Sequence, residues 1–150
     1  MSRRHFTFDC AGSTLAATLD EAASATGLLI VTGGNETRAG AFSSQADLAS
    51  RISAAGHPVL RFDRRGVGDS EGVNMGFRHS VEDIAAALAA FRAHCPALSR
   101  AVAFGNCDAA SALMLAGSAG FDGLVLSNPW TYENDQDHAP PPPSAIRARY

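Results

Sequence analysis

The sequence contains no lysine, and its twelve strongly basic residues are all arginine. It also has no excess of positive charge. Its formal net charge at pH 7 is -3. Nucleic acids are bound largely through Lys and Arg side chains that neutralise phosphates. This composition and charge therefore predict that the chain has no nucleic-acid partner.

Long hydrophobic runs are absent as well. No apolar stretch approaches the ~20 residues that a transmembrane helix needs. The N-terminal ten residues contain two arginines, but they alternate in polarity and reach Asp9 without a signal-type hydrophobic segment. Only three cysteines occur, at wide spacing, which argues against a disulfide framework. These absences predict a cytoplasmic protein without a membrane span.

The composition that is present is that of a globular domain, with 46% hydrophobic and 18% charged residues in 150. Alternating residues on both sides of Ala11-Gly12-Ser13 predict an antiparallel hairpin that is exposed on one face. Four short apolar runs follow, of the kind found in strands covered by helices on both faces. They are residues 27–32, 59–62, 101–104 and 124–127. This order predicts an α/β fold with a mostly parallel sheet and an N-terminal antiparallel hairpin.

Two predicted helices separate the first three of these runs. The first begins at a capping-box-like Ser44-Gln45-Ala46-Asp47 and ends at Gly56. The second begins at Ser80 and ends before Pro96. Their apolar faces are predicted to be Leu48, Ile52 and Ala55 in the first helix, and Val81, Ile84, Leu88 and Phe91 in the second.

A short motif follows the third parallel strand, at the sheet edge where α/β proteins bind ligands. Gly105-Asn106-Cys107-Asp108-Ala109 has the form of a nucleophile elbow, G-x-S-x-G, with Cys107 at the serine position. Gly105 and Ala109 meet the requirement for small residues on both sides of this tight turn. The start of the following helix favours negative charge and hence the reactive thiolate of Cys107. The alternative is a buried, inert cysteine.

Two amides are candidates for an oxyanion hole beside Cys107. One is the amide of Asp108, which starts the helix after the nucleophile. The other belongs to the loop after the first parallel strand, at Gly34 or Asn35, where glycine lets the backbone approach a substrate oxygen. Taken alone, Gly33-Gly34 is more typical of an ordinary turn.

The loop after the second parallel strand contains Gly66-x-Gly68, part of a dinucleotide-binding pattern. Glu71 stands where that pattern needs its third glycine, and no helix is predicted before about Ser80, so an NAD-binding oxidoreductase is not favoured. We expect instead that Asp63 and Arg65 hold the turn by charge-assisted hydrogen bonds, while its glycines adopt positive φ. No metal-ligand spacing occurs, and the acidic run 133–137 lacks the glycine and final glutamate of a calcium loop. The sequence predicts no cofactor.

Taken together, these motifs resemble the α/β-hydrolase superfamily. The pattern D-x-R-G-x-G-x-S, formed here by Asp63, Arg65, Gly66, Gly68 and Ser70, precedes the elbow in the expected order. More narrowly, residues 31–36, 62–72, 105–109 and 138–143 are similar to bacterial exosortase A system-associated hydrolases, which are encoded beside exopolysaccharide and protein-sorting genes. The resemblance implies a hydrolase or acyltransferase for a small ester or thioester. A cysteine in the elbow has precedent among dienelactone hydrolases.

The superfamily order is nucleophile, acid, histidine, and the last two are expected late in the chain. The sequence ends at Tyr150, so we expect residues 1–128 to be the N-terminal part of a hydrolase domain that lacks its C-terminal strands. Residues 129–150 are predicted to start a cap region with a Pro-rich segment, and the triad acid and histidine are expected beyond residue 150. His138 is the one histidine that follows the predicted strand 124–127, and the acidic run 133–137 lies between that strand and His138. The alternative is a non-catalytic fragment or degenerate hydrolase that binds a small molecule or a partner.

Overall fold

A computed structural model describes residues 2–118 and 120–130. Six strands lie in these residues: β1 Ser2–Cys10, β2 Ser13–Glu21, β3 Thr26–Val31, β4 Val59–Phe62, β5 Arg100–Asn106 and β6 Gly123–Ser127. Three α-helices accompany them: α1 Ser44–Ala54, α2 Val81–His94 and α3 Asp108–Ala116. Short 3-10 turns cover Ala41–Ser43 and Phe77–His79.

The strands form one sheet in the order β1-β2-β4-β3-β5-β6. β3 pairs in parallel with both β4 and β5, and β5 pairs in parallel with β6. The N-terminal hairpin β1-β2 is antiparallel and joins the sheet through β2 and β4. The predicted mostly parallel sheet with an N-terminal hairpin is confirmed. Its topology places the loops after β3, β4 and β5 at one end of the sheet.

Helices cover both faces of the central strands, as the unbroken apolar runs predict. The main core holds Leu29 and Val31 of β3 together with α2 and α3 side chains such as Phe91 and Leu113. A smaller cluster on the other face packs Ile30 against α1, with Ala49 and Val59. Successive residues of a strand point to opposite faces, so β3 serves both cores.

The hairpin differs from the prediction in its second strand. β1 is largely exposed, but β2 is buried from Leu15 to Asp20. Its polar face is covered by two arginines: Arg38 donates to the Thr18 hydroxyl at 3.1 Å and Arg61 pairs with Asp20 at 3.2 Å. The polar face of β2 is therefore not exposed to solvent, because a hydrogen bond from Arg38 and an ion pair with Arg61 cover it.

The start of α1 also differs from the prediction. No serine side chain caps this helix, and Phe42 and Ser43 adopt left-handed φ values of 52° and 61°. The amides of Gln45 and Ala46, the second and third residues of the helix, donate instead to the carbonyl of Ala39, each at 3.1 Å. A backbone carbonyl thus replaces the predicted capping box.

The buried face of α1 is rotated from the predicted one. Gln45, Ala49 and Ser53 are buried, whereas Leu48 is exposed. Ile52 packs on the smaller core cluster. The three buried residues lie four apart, which places them on one face of the helix. Small and polar residues face inwards because arginine and aspartate side chains also occupy this side of the sheet.

α2 follows its prediction more closely. Ile84, Leu88 and Phe91 are buried, and Val81 is partly exposed. Ser80 precedes the helix but makes no side-chain cap. Its hydroxyl donates to the carbonyl of Gly76 at 3.2 Å and accepts from Arg64 at 3.1 Å.

Most of the predicted cap region, including His138 and the acidic run 133–137, lies outside the described residues. Within the described part of the chain, no helix is long and apolar enough to cross a membrane.

Candidate active site

Cys107 lies between the end of β5 and the start of α3, with φ 59° and ψ -129°. Such a conformation is strained for a residue with a Cβ and stores on the order of 1–3 kcal/mol. The chain thereby changes from strand to helix within one residue. This is the sharp turn that a nucleophile elbow requires.

Close packing beneath the turn explains the small residues on either side of Cys107. A Cβ added to Gly105 would lie 2.8 Å from the carbonyl carbon of Ala109 and 2.9 Å from the amide nitrogen of Ala110. Ala109 itself is fully buried. β5 and α3 therefore approach each other closely only because position 105 has no side chain.

Hydrogen bonds to the end of β6 brace the elbow. The amide of Cys107 donates to the carbonyl of Ser127 at 3.0 Å, and its carbonyl accepts from the amide of Trp130 at 3.3 Å. The Ser111 hydroxyl of α3 donates to the carbonyl of Trp130 at 2.6 Å. The strained residue is thus held by backbone contacts on both of its sides.

The loop after β3 lies directly against the elbow. A Cβ added to Gly33 would be 2.7 Å from the carbonyl oxygen of Asn106 and 3.6 Å from the Cβ of Cys107. The amide of Gly34 donates to the Asp108 carboxylate at 2.6 Å. One of the two alternative oxyanion amides in this loop is therefore already engaged.

Arg64 holds the same glycine from its carbonyl side. This arginine is 2% exposed, and its Nη2 donates to the carbonyl of Gly34 at 2.7 Å and lies 3.4 Å from the Asp108 carboxylate. Its Nη1 donates to the Ser80 hydroxyl. The sequence predicted no role for Arg64. Arg64 and Arg65 are adjacent and identical, and the sequence does not show which of them is buried.

Asn35 is the other oxyanion candidate of the loop. Its side-chain oxygen accepts from the Asn74 amide group at 2.9 Å. Its backbone amide, like that of Asp108 at the start of α3, donates to no acceptor in the described residues. Sequence reasoning also missed this link between the loops after β3 and β4.

The turn after β4 is held by charged side chains as predicted, but Asp63 and Arg65 form their hydrogen bonds and ion pairs with other residues and not with each other. Asp63 is fully buried and accepts from the backbone and side chain of Arg38 and from the amide of Asp69. Arg65 reaches α2, where it pairs with Asp83 at 2.5 Å. Gly66 and Gly68 adopt the expected positive φ, 71° and 54°. The two charged residues therefore tie the turn to two different elements.

The surroundings of the other two cysteines, Cys10 and Cys95, favour the protonated thiol. Burial raises the pKa of Cys10 to about 11, and the nearby Asp83 carboxylate adds to this shift. Burial also raises the pKa of Cys95. All three cysteines are free. At neutral pH, Cys10 and Cys95 are held as thiols.

No histidine in residues 2–118 and 120–130 hydrogen-bonds to Cys107. His5 contacts the Thr18 hydroxyl, His57 contacts the carbonyl of Thr26, and His94 stacks on a phenylalanine. His79 lines a cavity of about 140 Å³ beside Arg64. The same part of the chain holds no cluster of three or more His, Cys, Asp or Glu side chains suited to a metal ion.

Known structures share this fold at low sequence identity. The α/β hydrolase GrgF from Penicillium sp. sh18 superposes with a TM-score of 0.78 at 21% identity, over 99% of this chain and 54% of its own. The Pyrococcus furiosus esterase Pf2001 gives 0.74 at 18% identity, over 87% and 50%. XC6422 from Xanthomonas campestris, an a/b serine hydrolase without lid, gives 0.67 at 21% identity, over 85% and 61%. The chain spans between 50% and 61% of the length of these proteins.

Among curated proteins, none is similar enough in sequence to match the chain. A family model does match it: the model described as Serine aminopeptidase, S33 aligns with residues 23–149, which include β3 to β6 and the elbow. The architecture is also that of the solved α/β hydrolases. The chain therefore belongs to the Serine aminopeptidase, S33 family of α/β hydrolases.

Proposed function

We propose that this chain carries the nucleophile and oxyanion half of a site that cleaves a small ester or thioester. The observation that supports this most strongly is the strained backbone of Cys107 at the junction of β5 and α3. Such strain persists only where surrounding structure enforces it, and it is concentrated at functional sites. Membership of a hydrolase family is consistent with the same chemistry.

In the proposed reaction, the Cys107 thiolate attacks the substrate carbonyl carbon and forms a C–S bond, while the carbonyl π electrons move to oxygen. Collapse of this tetrahedral intermediate breaks the bond to the leaving alkoxide or thiolate, which takes up a proton. Water or another acceptor then displaces the acyl group from sulfur. A histidine base is expected from the superfamily pattern, and no histidine of the described residues hydrogen-bonds to Cys107.

The oxyanion donors that we propose are the amides of Asp108 and Asn35. Both are without an acceptor in the described residues, and the close approach of Gly33 to Cys107 places the loop of Asn35 against the nucleophile. Gly34, the alternative donor, is engaged by the Asp108 carboxylate. Gly105 and Ala109 support this arrangement by allowing the close approach of β5 and α3.

Trapping of the acyl intermediate tests this proposal. The chain is incubated with 4-nitrophenyl acetate and the acetylated residue is located by mass spectrometry. We expect the adduct on Cys107, its loss in Cys107→Ala, and its retention in Cys95→Ala, a matched change at another partly buried cysteine. An adduct that persists in Cys107→Ala contradicts the assignment.

One observation favours a second function, a non-catalytic module that binds a small molecule or a partner. The Asp108 carboxylate already occupies the Gly34 amide that could otherwise receive a substrate oxygen. Reaction with iodoacetamide separates the two functions. A Cys107 that reacts no faster than an unactivated thiol in the folded chain supports the binding module.

We also propose a link to an exosortase and exopolysaccharide system. Its support is the resemblance of residues 31–36, 62–72, 105–109 and 138–143 to hydrolases associated with that system. Deletion of the coding gene tests it: unchanged exopolysaccharide output and unchanged sorting of surface proteins contradict the link.

A further inference from the structure

We propose that Asp108 and Arg64 are positioning residues that clamp Gly34 and thereby set the loop after β3 against the elbow. This inference rests on the proposed role of Cys107 as nucleophile. It adds a role for two side chains that neither attack nor bind the reacting carbonyl.

The clamp holds both backbone groups of one residue. The Gly34 amide donates to Oδ1 of Asp108 at 2.6 Å, and the Gly34 carbonyl accepts from Nη2 of Arg64 at 2.7 Å. The same Nη2 lies 3.4 Å from Oδ2 of Asp108, which closes the arrangement into a ring of three partners. Charge-assisted hydrogen bonds of this kind are stronger than those between neutral groups.

The two side chains are themselves well fixed. Arg64 is 2% exposed and is anchored at its other nitrogen by the Ser80 hydroxyl. The Asp108 side chain is 17% exposed and belongs to the first turn of α3, immediately after Cys107. The clamp therefore connects the loop to the helix that follows the nucleophile and to the segment before α2.

Its consequence concerns the neighbouring amide of Asn35. Since the Gly34 amide is used by the clamp, the oxyanion role passes to Asn35, whose position follows directly from that of Gly34. A donor stabilises an oxyanion effectively only when it is held in place before the reaction. Loss of the clamp should therefore impair steps that develop an oxyanion and leave other reactions of Cys107 unaffected.

Two reactions of Cys107 distinguish these effects. Acylation by 4-nitrophenyl acetate passes through an oxyanion, whereas alkylation by iodoacetamide does not. For Asp108→Ala we expect acylation to slow about 100-fold, the lower end of the effect of one oxyanion donor. Alkylation should not slow, because it develops no oxyanion. Asp108→Asn keeps an oxygen for the Gly34 amide and should retain acylation within about 10-fold of the wild type.

Asp47→Ala is the matched control. Asp47 is also an acidic residue in the first turn of a helix, α1, but it is exposed and outside the clamp. Circular dichroism confirms that each variant is folded. The proposal is overturned if Asp108→Ala acylates as fast as Asp47→Ala, or if alkylation falls as far as acylation.

Hydrogen exchange at the Gly34 amide, followed by NMR, tests the clamp without any substrate. Protection in the wild type and in Asp47→Ala, and its loss in Asp108→Ala, supports the clamp. Equal exchange in all three proteins overturns it. Failure of the proposed function gives a different result, because the wild type then forms no acyl adduct on Cys107 while Gly34 remains protected.

Discussion

At the scale of single residues, the elbow depends on one missing side chain. Gly105 has no positive φ, so its requirement for glycine is steric and comes from the backbone of Ala109 and Ala110. The sequence pattern alone predicted a small residue here. The distances give the reason, since backbone atoms cannot move aside as a flexible side chain can.

Gly105→Ala should destabilise the chain by about 2–3 kcal/mol, because the added methyl group overpacks the β5–α3 contact. Gly123→Ala in β6 is the control, since its new Cβ would meet nothing closer than 3.7 Å. Urea unfolding of both variants measures the difference. Equal stabilities would show that α3 can shift without loss.

Cys10 makes the stability of the chain vary with pH in the alkaline range. Burial raises its pKa from 9.0 to about 11 in the folded chain. Between these values the unfolded chain loses the thiol proton and the folded chain keeps it. The contribution of Cys10 to stability is therefore complete below pH 9 and is lost as the pH rises towards 11.

Urea unfolding from pH 8 to 11 checks this dependence. The wild type should lose stability more steeply than Cys10→Ala, with a difference in slope of at most about 1.4 kcal/mol per pH unit. The variant is the control for every other group that titrates in this range. Parallel curves would contradict the prediction.

At the scale of elements, the turn after β4 is fixed to α2 by a buried ion pair. Arg65 contacts Asp83, which is 3% exposed, and also Glu82, which is 69% exposed. Asp83 further accepts from the backbone amide of Arg65 at 2.9 Å. Two adjacent carboxylates thus share one guanidinium in very different surroundings.

Asp83→Ala should lower the free energy of unfolding by about 3 kcal/mol, because it leaves the Arg65 charge and amide without their buried acceptor. Glu82→Ala removes a solvent-exposed partner of the same arginine and should cost less than ~1 kcal/mol. Chemical denaturation of the two variants gives the comparison. Similar losses would mean that burial does not decide the strength of these pairs.

α1 shows where element-level prediction fails. Its existence follows from the spacing of apolar residues and from Gly56, but its buried face is Gln45, Ala49 and Ser53. The face could not be predicted because Arg38 and Arg61 occupy the same side of the sheet, where their contacts with Thr18 and Asp20 of β2 are set by the tertiary fold. α2 faces a purely apolar core, and three of its four predicted core residues are buried.

At the scale of the whole molecule, the two edges of the sheet differ in character. β1 carries exposed Arg3 and Arg4, which discourage pairing with another strand. β6 is at the other edge of the sheet formed by residues 2–118 and 120–130 and exposes Val125 and Leu126, and the nearby helix α3 exposes Met114 and Leu115. An apolar edge strand of this kind is a site for association.

We expect the 150-residue chain to associate through β6 as its concentration rises, and Val125→Arg to reduce this association. Phe42→Ser is the control, because Phe42 is fully exposed in the loop before α1 and lies outside the sheet. Analytical ultracentrifugation measures the change. Association that persists in Val125→Arg and disappears in Phe42→Ser would place the contact at that loop.

By itself the sequence determined the order of strands and helices, the mostly parallel sheet and the position of the tight strand-to-helix turn at Cys107, because hydrophobic periodicity and small-residue spacing are local properties. Tertiary structure alone decided what the polar side chains do. Asp108, read from sequence only for its amide, uses its carboxylate to hold Gly34, and Arg64 completes that contact from a different loop. Hydrogen-bond partners 30 and 74 residues apart in the chain leave no periodic signal, so only the folded backbone brings them together.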